Sequence, residues 1–178
     1  DSRSVGTVYD SSGYAYNGTG LGDLQIISDT VSGQNALSII GSSTQYIECE
    51  KGPFLNNVDA YTIKVWIKPR TTSIAGIFSL ESGTTWKATV DSGNKVRVRD
   101  NSGSNYKDLS FGSYTANQWA MITLTYDKGT ASTRKNVTQI ATDTIGGTAT
   151  SGQNWLSIGK TRQNSSFFNG IIADFKII

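Results

Sequence analysis

The chain has 178 residues, which is enough for one sizeable β-sandwich domain and too few for two. Its net charge of +2 is too small to indicate binding to nucleic acid or to an anionic membrane. Histidine is absent, which excludes Ser-His-Asp and Cys-His nucleophiles, histidine-ligated zinc and the usual general base at neutral pH. No apolar run is long enough to span a bilayer, so we expect no membrane insertion.

The first part of the chain predicts short strands separated by polar turns. Residues 4–10 predict a strand, and residues 10–19 predict a glycine-rich loop. Residues 35–40 and 45–50 predict the two strands of a hairpin. Residues 60–68 alternate apolar and polar side chains, which is typical of a strand with one buried face.

The remainder of the chain continues the same pattern. Three segments separated by glycine turns predict a β-meander, and the polar residues 101–118 predict an irregular segment. The predicted meander strands are 74–82, 84–91 and 95–100; the later strands are 119–126, 136–145, 154–159 and 170–178. Roughly ten to twelve short strands with no helical periodicity predict an all-β fold, a two-sheet antiparallel jelly-roll sandwich formed by residues 1–178 as a single domain.

Three side chains within the predicted strands favour a structural role. Trp66 and Trp119 lie in regular strands, and we predict that they pack in the core or between layers. Cys49, the one cysteine, alternates with Ile47 and is predicted to be a small buried core residue. Its acidic neighbours in the sequence oppose formation of a reactive thiolate.

Six segments, taken in chain order, resemble one known family. They are YDSSGYAYNGTG, ALSIIGSSTQYIE, AYTIKVWIKP, NQWAMITLTYD, NWLSIGK and FFNGIIADFKII. Together they are similar to the strand framework of laminin-G-like, concanavalin A-like lectin/glucanase jelly-roll domains. The resemblance implies a two-sheet jelly roll that binds glycans or proteins.

The same resemblance implies a structural Ca²⁺ in the loop that begins at Asp10. Asp10 would give a carboxylate and Asn17 a carbonyl oxygen, the hard ligands that Ca²⁺ prefers. The core-facing acidic position of the family's closing strand corresponds to Ala173, and alternation would turn Asp174 to the opposite face. The alternative is an ordinary loop held by Asx turns.

Two groups of residues are candidates for binding a carbohydrate. Arg97 and Arg99 share a face of one strand and could hold a carboxylate or sulfate, since arginine binds such groups bidentately. The alternative is a solvated outer face that discourages edge pairing. Sugars stack on aromatic rings and bond polar side chains, so the second group combines such residues: Trp86, Tyr106, Trp155, Phe167 and Phe168, with Asn154 and Arg162 as polar partners. For each of these aromatic residues the favoured alternative is packing in the core. Phe168 is expected to plug the sandwich.

Catalysis is disfavoured by the acidic residues. The chain has three glutamates, and it lacks the strand motif E-x-D-x-x-E of the sugar-cleaving relatives that the resemblance implies. Glu48 and Glu50 share a face about 7 Å apart, which could suit two catalytic carboxyl groups, but a pair on one strand more naturally faces solvent.

We therefore predict a non-catalytic, lectin-like module that binds a glycan or polysaccharide. The alternative is a structural or protein-docking domain whose partner is a surface protein. We expect no nucleic-acid partner and a place at the cell surface, outside the cell or on a virion. Because the sequence starts at Asp1 rather than at Met, we expect it to be part of a larger chain or assembly.

Overall fold

A computed structural model describes most of the chain. The described residues are 4–11, 15–28, 31, 36–40, 44–52, 59–82, 85–90, 93–99, 105–146, 154–161 and 166–178. Within these ranges the backbone alone is described for residues 4–5, 50–52, 82, 85–87 and 154. The predicted site residue Arg162 lies outside the described residues.

The described residues form fifteen strands and no helix. The strands are β1 (Ser4–Val8), β2 (Gly18–Leu21), β3 (Gln25–Ile27), β4 (Ala36–Ile40), β5 (Tyr46–Gly52), β6 (Ala60–Pro69), β7 (Phe78–Ser82), β8 (Thr85–Val90), β9 (Lys95–Arg99), β10 (Tyr106–Ser110), β11 (Ala120–Asp127), β12 (Thr130–Lys135), β13 (Thr138–Thr144), β14 (Asn154–Ile158) and β15 (Asn169–Ile177). No helix that is long and apolar enough to cross a membrane occurs in this part of the chain.

The strands build two antiparallel sheets, which confirms the predicted sandwich. One sheet has eight strands in the order β1-β2-β5-β14-β7-β8-β9-β10, and the other has seven in the order β13-β12-β11-β6-β15-β4-β3. Strands β7, β8 and β9 pair in sequence, as the predicted meander requires. The order shows that strands distant in sequence, such as β6 and β15, lie side by side at the centre.

The core lies between the sheets and follows from alternation within the strands. In β6 the side chains of Tyr61, Ile63, Val65 and Ile67 are buried, as predicted, and they face the other sheet. Each buried aliphatic side chain of this kind contributes about 1.5–3 kcal/mol to the free energy of folding. Tyr126 of β11 stacks on Tyr61 with ring centroids 5.5 Å apart. Alternation thus gives each central strand one buried face and one outer face.

The predicted hairpin of residues 35–40 and 45–50 is wrong. Strand β4 pairs with β15 and β3, whereas β5 pairs with β2 and β14 in the opposite sheet. Gln45, which is buried, holds this crossing: its Oε1 accepts from the Ile40 amide at 2.6 Å, and its Nε2 donates to the Asp23 carbonyl at 2.8 Å. A buried side-chain amide replaces the strand pairing that a hairpin would have supplied.

The sequence analysis missed several strands, including β2, β3, β10 and β12. The predicted irregular segment contains β10, which pairs with β9 over five residues. Strand β12 pairs with β11 and β13. Strands β10 and β12 each have one buried apolar side chain, Leu109 in β10 and Ala131 in β12. Their alternation was therefore too weak to predict a strand.

The predicted core packing of Trp66 and Trp119 is also wrong. Trp66 lies on the outer face of β6, between the buried Val65 and Ile67, and is only partly buried. Trp119 precedes β11, is also partly buried, and has the Lys68 Nζ 5.9 Å from its ring centroid. Phe168, by contrast, is buried in the core as predicted.

Candidate functional site

A row of polar side chains crosses the outer face of the eight-stranded sheet. Strand register places six residues directly opposite one another on adjacent strands, from β5 to β10. In spatial order, this polar row is Glu48, Ser157, Ser79, Thr89, Arg97 and Asp108. Their chain neighbours Leu80, Val90, Val98 and Leu156 point into the core, so the row points away from it. The sheet thus presents a continuous polar strip to its outer side.

The centre of this strip is buried although it faces away from the core. Ser79 and Ser157 are 2% exposed, Thr89 is 5% exposed and Glu81, in the next row, is 3% exposed. Outer-face side chains of a sheet are usually solvated. These four residues therefore form a polar floor beneath the longer side chains of the same face.

The Glu81 carboxylate and the Thr89 hydroxyl of the polar floor differ in their hydrogen bonding. The Ser79 hydroxyl donates to Glu81 Oε1 at 2.8 Å, which offsets part of the cost of burying a carboxylate. The buried Thr89 hydroxyl has no hydrogen-bond partner among the residues that the structure describes. A buried polar group without a partner costs free energy, so Thr89 is a destabilising point in the floor.

An arginine cluster forms one end of the strip. The Arg97 guanidinium donates to both carboxylate oxygens of Asp108, from Nε at 2.6 Å and from an Nη at 2.9 Å. This hydrogen bond lowers the pKa of Asp108. The Arg97 and Arg99 guanidinium carbons lie 5.0 and 5.7 Å from the ring centroid of Tyr106, which is half exposed. The Arg97 fork, predicted to hold a ligand anion, therefore holds Asp108.

Trp155 borders the floor on its other side. It lies on β14 directly opposite Glu81 of β7, and it is partly buried. Glu81 in turn lies opposite Trp86 of β8, where the register shifts. The side chains of Trp86 and Asn154 are not described. The structure thus brings Arg97, Arg99, Tyr106 and Trp155 to one face, and their role in binding stays a prediction.

The four residues of the polar floor were not predicted from the sequence. The predicted site consists mainly of aromatic and basic side chains, whereas the floor consists of serines, a threonine and one glutamate. One signal was available, because alternation in FSLES places Ser79 and Glu81 on the face opposite Leu80. A glutamate alternating with core residues in a central strand is unusual enough to single out.

The loop predicted to bind calcium is held by its own hydrogen bonds. The Asp10 amide donates to Asn17 Oδ1 at 3.0 Å, and the Tyr16 amide donates to Asp10 Oδ2 at 3.2 Å. These contacts match the alternative of a loop held by Asx-type turns. Among the described residues, no three His, Cys, Asp or Glu side chains gather closely enough to hold a metal ion. Calcium at Asp10 and Asn17 stays a prediction of the resemblance.

A bulge in β15 interrupts the predicted alternation at Asp174. The register against β6 shifts between Ala173 and Lys176, and Asp174 has a φ of 49°. Ala173 lies opposite Trp66, which is on the outer face. Asp174, together with Asp10, lines a cleft of about 690 Å³ between the sheets. The expected alternation is thus interrupted at this point, and the Asp174 carboxylate pairs with Lys176 at 2.8 Å.

Cys49 also lines this cleft and is a buried free thiol, as predicted. Burial, followed by the charges of Asp10 and Glu48, raises its pKa to about 11. A thiol with such a pKa is almost entirely protonated at neutral pH. Cys49 is therefore unsuited to act as a nucleophile.

The fold is similar to several solved structures. Domain 4 of AbnA, a GH43 extracellular arabinanase from Geobacillus stearothermophilus in complex with arabinotriose, has a TM-score of 0.68 at 15% identity, with 88% of this chain and 75% of that chain covered. A botulinum neurotoxin type C structure has a TM-score of 0.66 at 19% identity, with 95% and 44% covered. A heptameric SAP-like pentraxin from Limulus polyphemus has a TM-score of 0.52 at 17% identity, with 67% and 64% covered.

The chain thus spans less than half of the neurotoxin chain and just under two thirds of the pentraxin chain. No curated protein sequence matches it with significance. A family model described as the concanavalin A-like lectin/glucanases superfamily matches residues 41–178. This match covers well over half of the chain, and the two-sheet sandwich agrees with it. The chain belongs to the concanavalin A-like lectin/glucanase superfamily.

Proposed function

We propose that this protein is a non-catalytic carbohydrate-binding module that holds a glycan on the outer face of its eight-stranded sheet. The observation that carries the proposal is the polar floor of Ser79, Glu81, Thr89 and Ser157, buried on a face that is normally solvated. Carboxylate and hydroxyl groups fixed on a rigid sheet are suited to recognising sugar hydroxyls. The Trp155 ring borders this floor, and the Tyr106 ring lies beside Arg97 and Arg99 at the end of the strip.

The charges of the face favour a neutral glycan. The Arg97 guanidinium is paired with Asp108, so its fork is not available to a ligand carboxylate unless that pair breaks. Glu81 near the centre of the strip and Glu48 at its end add negative charge and would repel an anion. A neutral sugar can donate its hydroxyls to these carboxylates in charge-assisted hydrogen bonds.

The structural neighbours support this assignment. The arabinanase domain was solved in complex with arabinotriose, and cell entry of botulinum neurotoxin type C is dependent upon interaction with two ganglioside molecules. Others include a bacteriophage tailspike domain, so an extracellular, cell-surface or virion location fits the same proposal. Membership of a larger protein fits as well, since the chain spans only 44% of the neurotoxin structure.

The acidic residues support a binding role over hydrolysis. The chain has glutamates only at positions 48, 50 and 81. Glu81 is buried and accepts a hydrogen bond from Ser79, a setting that favours a fixed acceptor over a group that exchanges protons with substrate. Release of reducing sugar from an oligosaccharide, abolished by Glu81→Gln, would overturn the non-catalytic assignment.

Calorimetric titration with arabinotriose and with a panel of neutral oligosaccharides tests the proposal. Glu81→Gln, which keeps the shape and the acceptor for Ser79, is expected to weaken binding roughly tenfold. Trp155→Ala is expected to weaken it to a similar degree through lost ring contact.

Trp119→Ala is the matched control, since Trp119 directly precedes β11 of the other sheet and lies beside Lys68 of β6. It removes the same side chain and is expected to leave affinity unchanged. Equal loss in Trp155→Ala and Trp119→Ala would contradict the assignment of this face. Binding by no member of the panel would favour the alternative, a structural or protein-docking domain.

A further inference from the structure

The seven-stranded sheet carries a row of cations on its outer face. Register places Lys176 of β15 opposite Lys64 of β6, Lys64 opposite Thr123 of β11, and Thr123 opposite Arg134 of β12. The chain neighbours Ile63 and Thr133 are buried, so Lys64 and Arg134 point outwards. Lys176, Lys64 and Arg134, the basic row, thus span three strand spacings, roughly 14 Å.

One of the three cations in the basic row is paired with a carboxylate of the described residues, and the other two are not. Asp174 pairs with Lys176 at 2.8 Å. Asp127 lies at the far end of β11, four residues from Thr123 and roughly 13 Å along the strand. Neither Lys64 nor Arg134 has an ion pair with any residue that the structure describes. The basic row therefore retains a net positive charge.

Protection of a sheet edge does not explain Lys64 and Arg134. Lysine on edge strands prevents unwanted pairing, but both residues have a paired strand on each side. Lys176 differs, because β4 pairs with β15 only at residues 169–172. Lys64 and Lys176 are also directly opposite each other, an arrangement of like charges that destabilises a sheet. A ligand that carries negative charge would remove this repulsion.

Trp66 adds an aromatic ring to the same surface. It lies two residues from Lys64 on the outer face of β6 and is partly exposed. A partly exposed ring beside a row of fixed cations matches a ligand that combines apolar ring faces with repeated anionic groups. We infer that the basic row binds an acidic polysaccharide, through its carboxylate or sulfate groups, at a surface separate from the proposed neutral-glycan site.

The overall charge favours a polysaccharide over a nucleic acid. The net charge is +2 and the sequence pI is about 8.6, below the value above 9 that is typical of nucleic-acid-binding domains. The inference does not depend on the proposed function, because the two surfaces belong to different sheets.

The test compares dextran sulfate with uncharged dextran at low ionic strength. The protein is expected to bind only the sulfated polymer, and added salt is expected to weaken that binding. Lys64→Gln and Arg134→Gln are each expected to weaken it roughly three- to fivefold. Lys95→Gln, the control, makes the same change in net charge on the other sheet and is expected to have no effect.

Three results would overturn the inference. One is equal weakening by Lys64→Gln and Lys95→Gln, which would mean a nonspecific effect of net charge. Another is tighter binding of a single-stranded oligonucleotide than of dextran sulfate at the same salt, with the same dependence on Lys64. The last is no binding of dextran sulfate by the wild-type protein.

The neutral-oligosaccharide titration is repeated on Lys64→Gln, so that failure of one site is distinguished from failure of the other. Affinity for the neutral glycan is expected to be unchanged. The melting temperature of Lys64→Gln is expected to equal or exceed that of the wild type, since a like-charge pair is removed. A folded variant with reduced dextran sulfate binding therefore reports on the surface and not on the fold.

Discussion

The ion pair between Arg97 and Asp108 joins two side chains of the candidate site through two hydrogen bonds. Its two hydrogen bonds, of 2.6 and 2.9 Å, hold the arginine beside Tyr106. Both side chains are about one-third exposed, so solvent screens the pair and its contribution to stability is modest. Its main effect is to orient the cluster and to neutralise one positive charge.

The pair predicts a pH dependence of stability. Because the pKa of Asp108 is lower in the folded protein than its ordinary value of 3.8, its contribution is present above that value and is lost as the pH falls through the folded pKa. Asp108→Asn is expected to lower the free energy of unfolding at pH 7 by at most about 1 kcal/mol. It should also flatten the acid limb of stability measured by urea unfolding from pH 7 to 2. Asp143→Asn, which removes the longer Lys107–Asp143 pair at 3.3 Å, is the control. Its acid limb should be steeper than that of Asp108→Asn.

Cys49 gives a second prediction for a single side chain. Its pKa of about 11 and its burial predict very slow reaction with a disulfide reagent at pH 8 in the folded protein. Thiolate, and hence the reaction rate, should rise as the pH approaches 11. In denaturing urea at pH 8 the thiol should react fully and fast. Rapid stoichiometric reaction of the folded protein at pH 8 would contradict this description of the inter-sheet cleft.

The crossing between β4 and β5 depends on one side chain. The buried Gln45 side chain accepts from the Ile40 amide and donates to the Asp23 carbonyl in two part-buried hydrogen bonds. Gln45→Ala is expected to lower the free energy of unfolding by about 1–2 kcal/mol, because it removes both hydrogen bonds. Gln139→Ala, at an exposed position of β13, should change it by less than about 0.5 kcal/mol. Equal urea midpoints for the two variants would show that the crossing does not need Gln45.

The loop from Asp10 to Asn17 gives a test of the calcium prediction. If calcium binds there, excess Ca²⁺ should raise the melting temperature of the EDTA-treated protein, since a ligand of the folded state stabilises it by mass action. Asp10→Asn should abolish that rise. Because Asp10 also accepts from the Tyr16 amide, the melting temperature of Asp10→Asn without calcium should be slightly below that of the wild type, whether or not calcium binds. No difference between calcium and EDTA in the wild type would leave the hydrogen-bonded turn as the full explanation of this loop.

Strand prediction succeeded where burial is one-sided and failed where it is weak. Strand β6 has four inward apolar side chains, and its alternation is visible in the sequence. Strand β10 has one, and β12 relies on Ala131 and on Thr133, whose hydroxyl donates to the Ser110 carbonyl. A bulge such as that at Asp174 leaves no periodic signal, because it depends on the backbone conformation of one residue.

For the molecule as a whole, the two-sheet sandwich was predictable from the sequence. Which residues lie together on each outer face was not. Local patterns indicate which side chains of a strand share a face. They do not indicate which strands are neighbours. The polar row runs across six strands whose order in the sheet, β5-β14-β7-β8-β9-β10, differs from their order in the chain. Arg97 and Trp155 were predicted individually; the polar floor between them required the order β14-β7-β8-β9.

The two outer faces give the molecule two distinct surfaces. One has a buried carboxylate, hydroxyl groups and mixed charges, and the other has a basic row beside Trp66. The central claim is that the first of these holds a neutral glycan. Its location on the molecule is what most needs to be measured.

The most direct measurement is an amide NMR titration of the ¹⁵N-labelled protein with a neutral oligosaccharide that binds it, beginning with arabinotriose. We predict shift changes concentrated at Ser79, Glu81, Thr89, Arg97 and Trp155, with none along β11 and β12. Shifts centred on the Asp10–Asn17 loop or on Lys64 and Arg134, with the polar floor unaffected, would contradict the account.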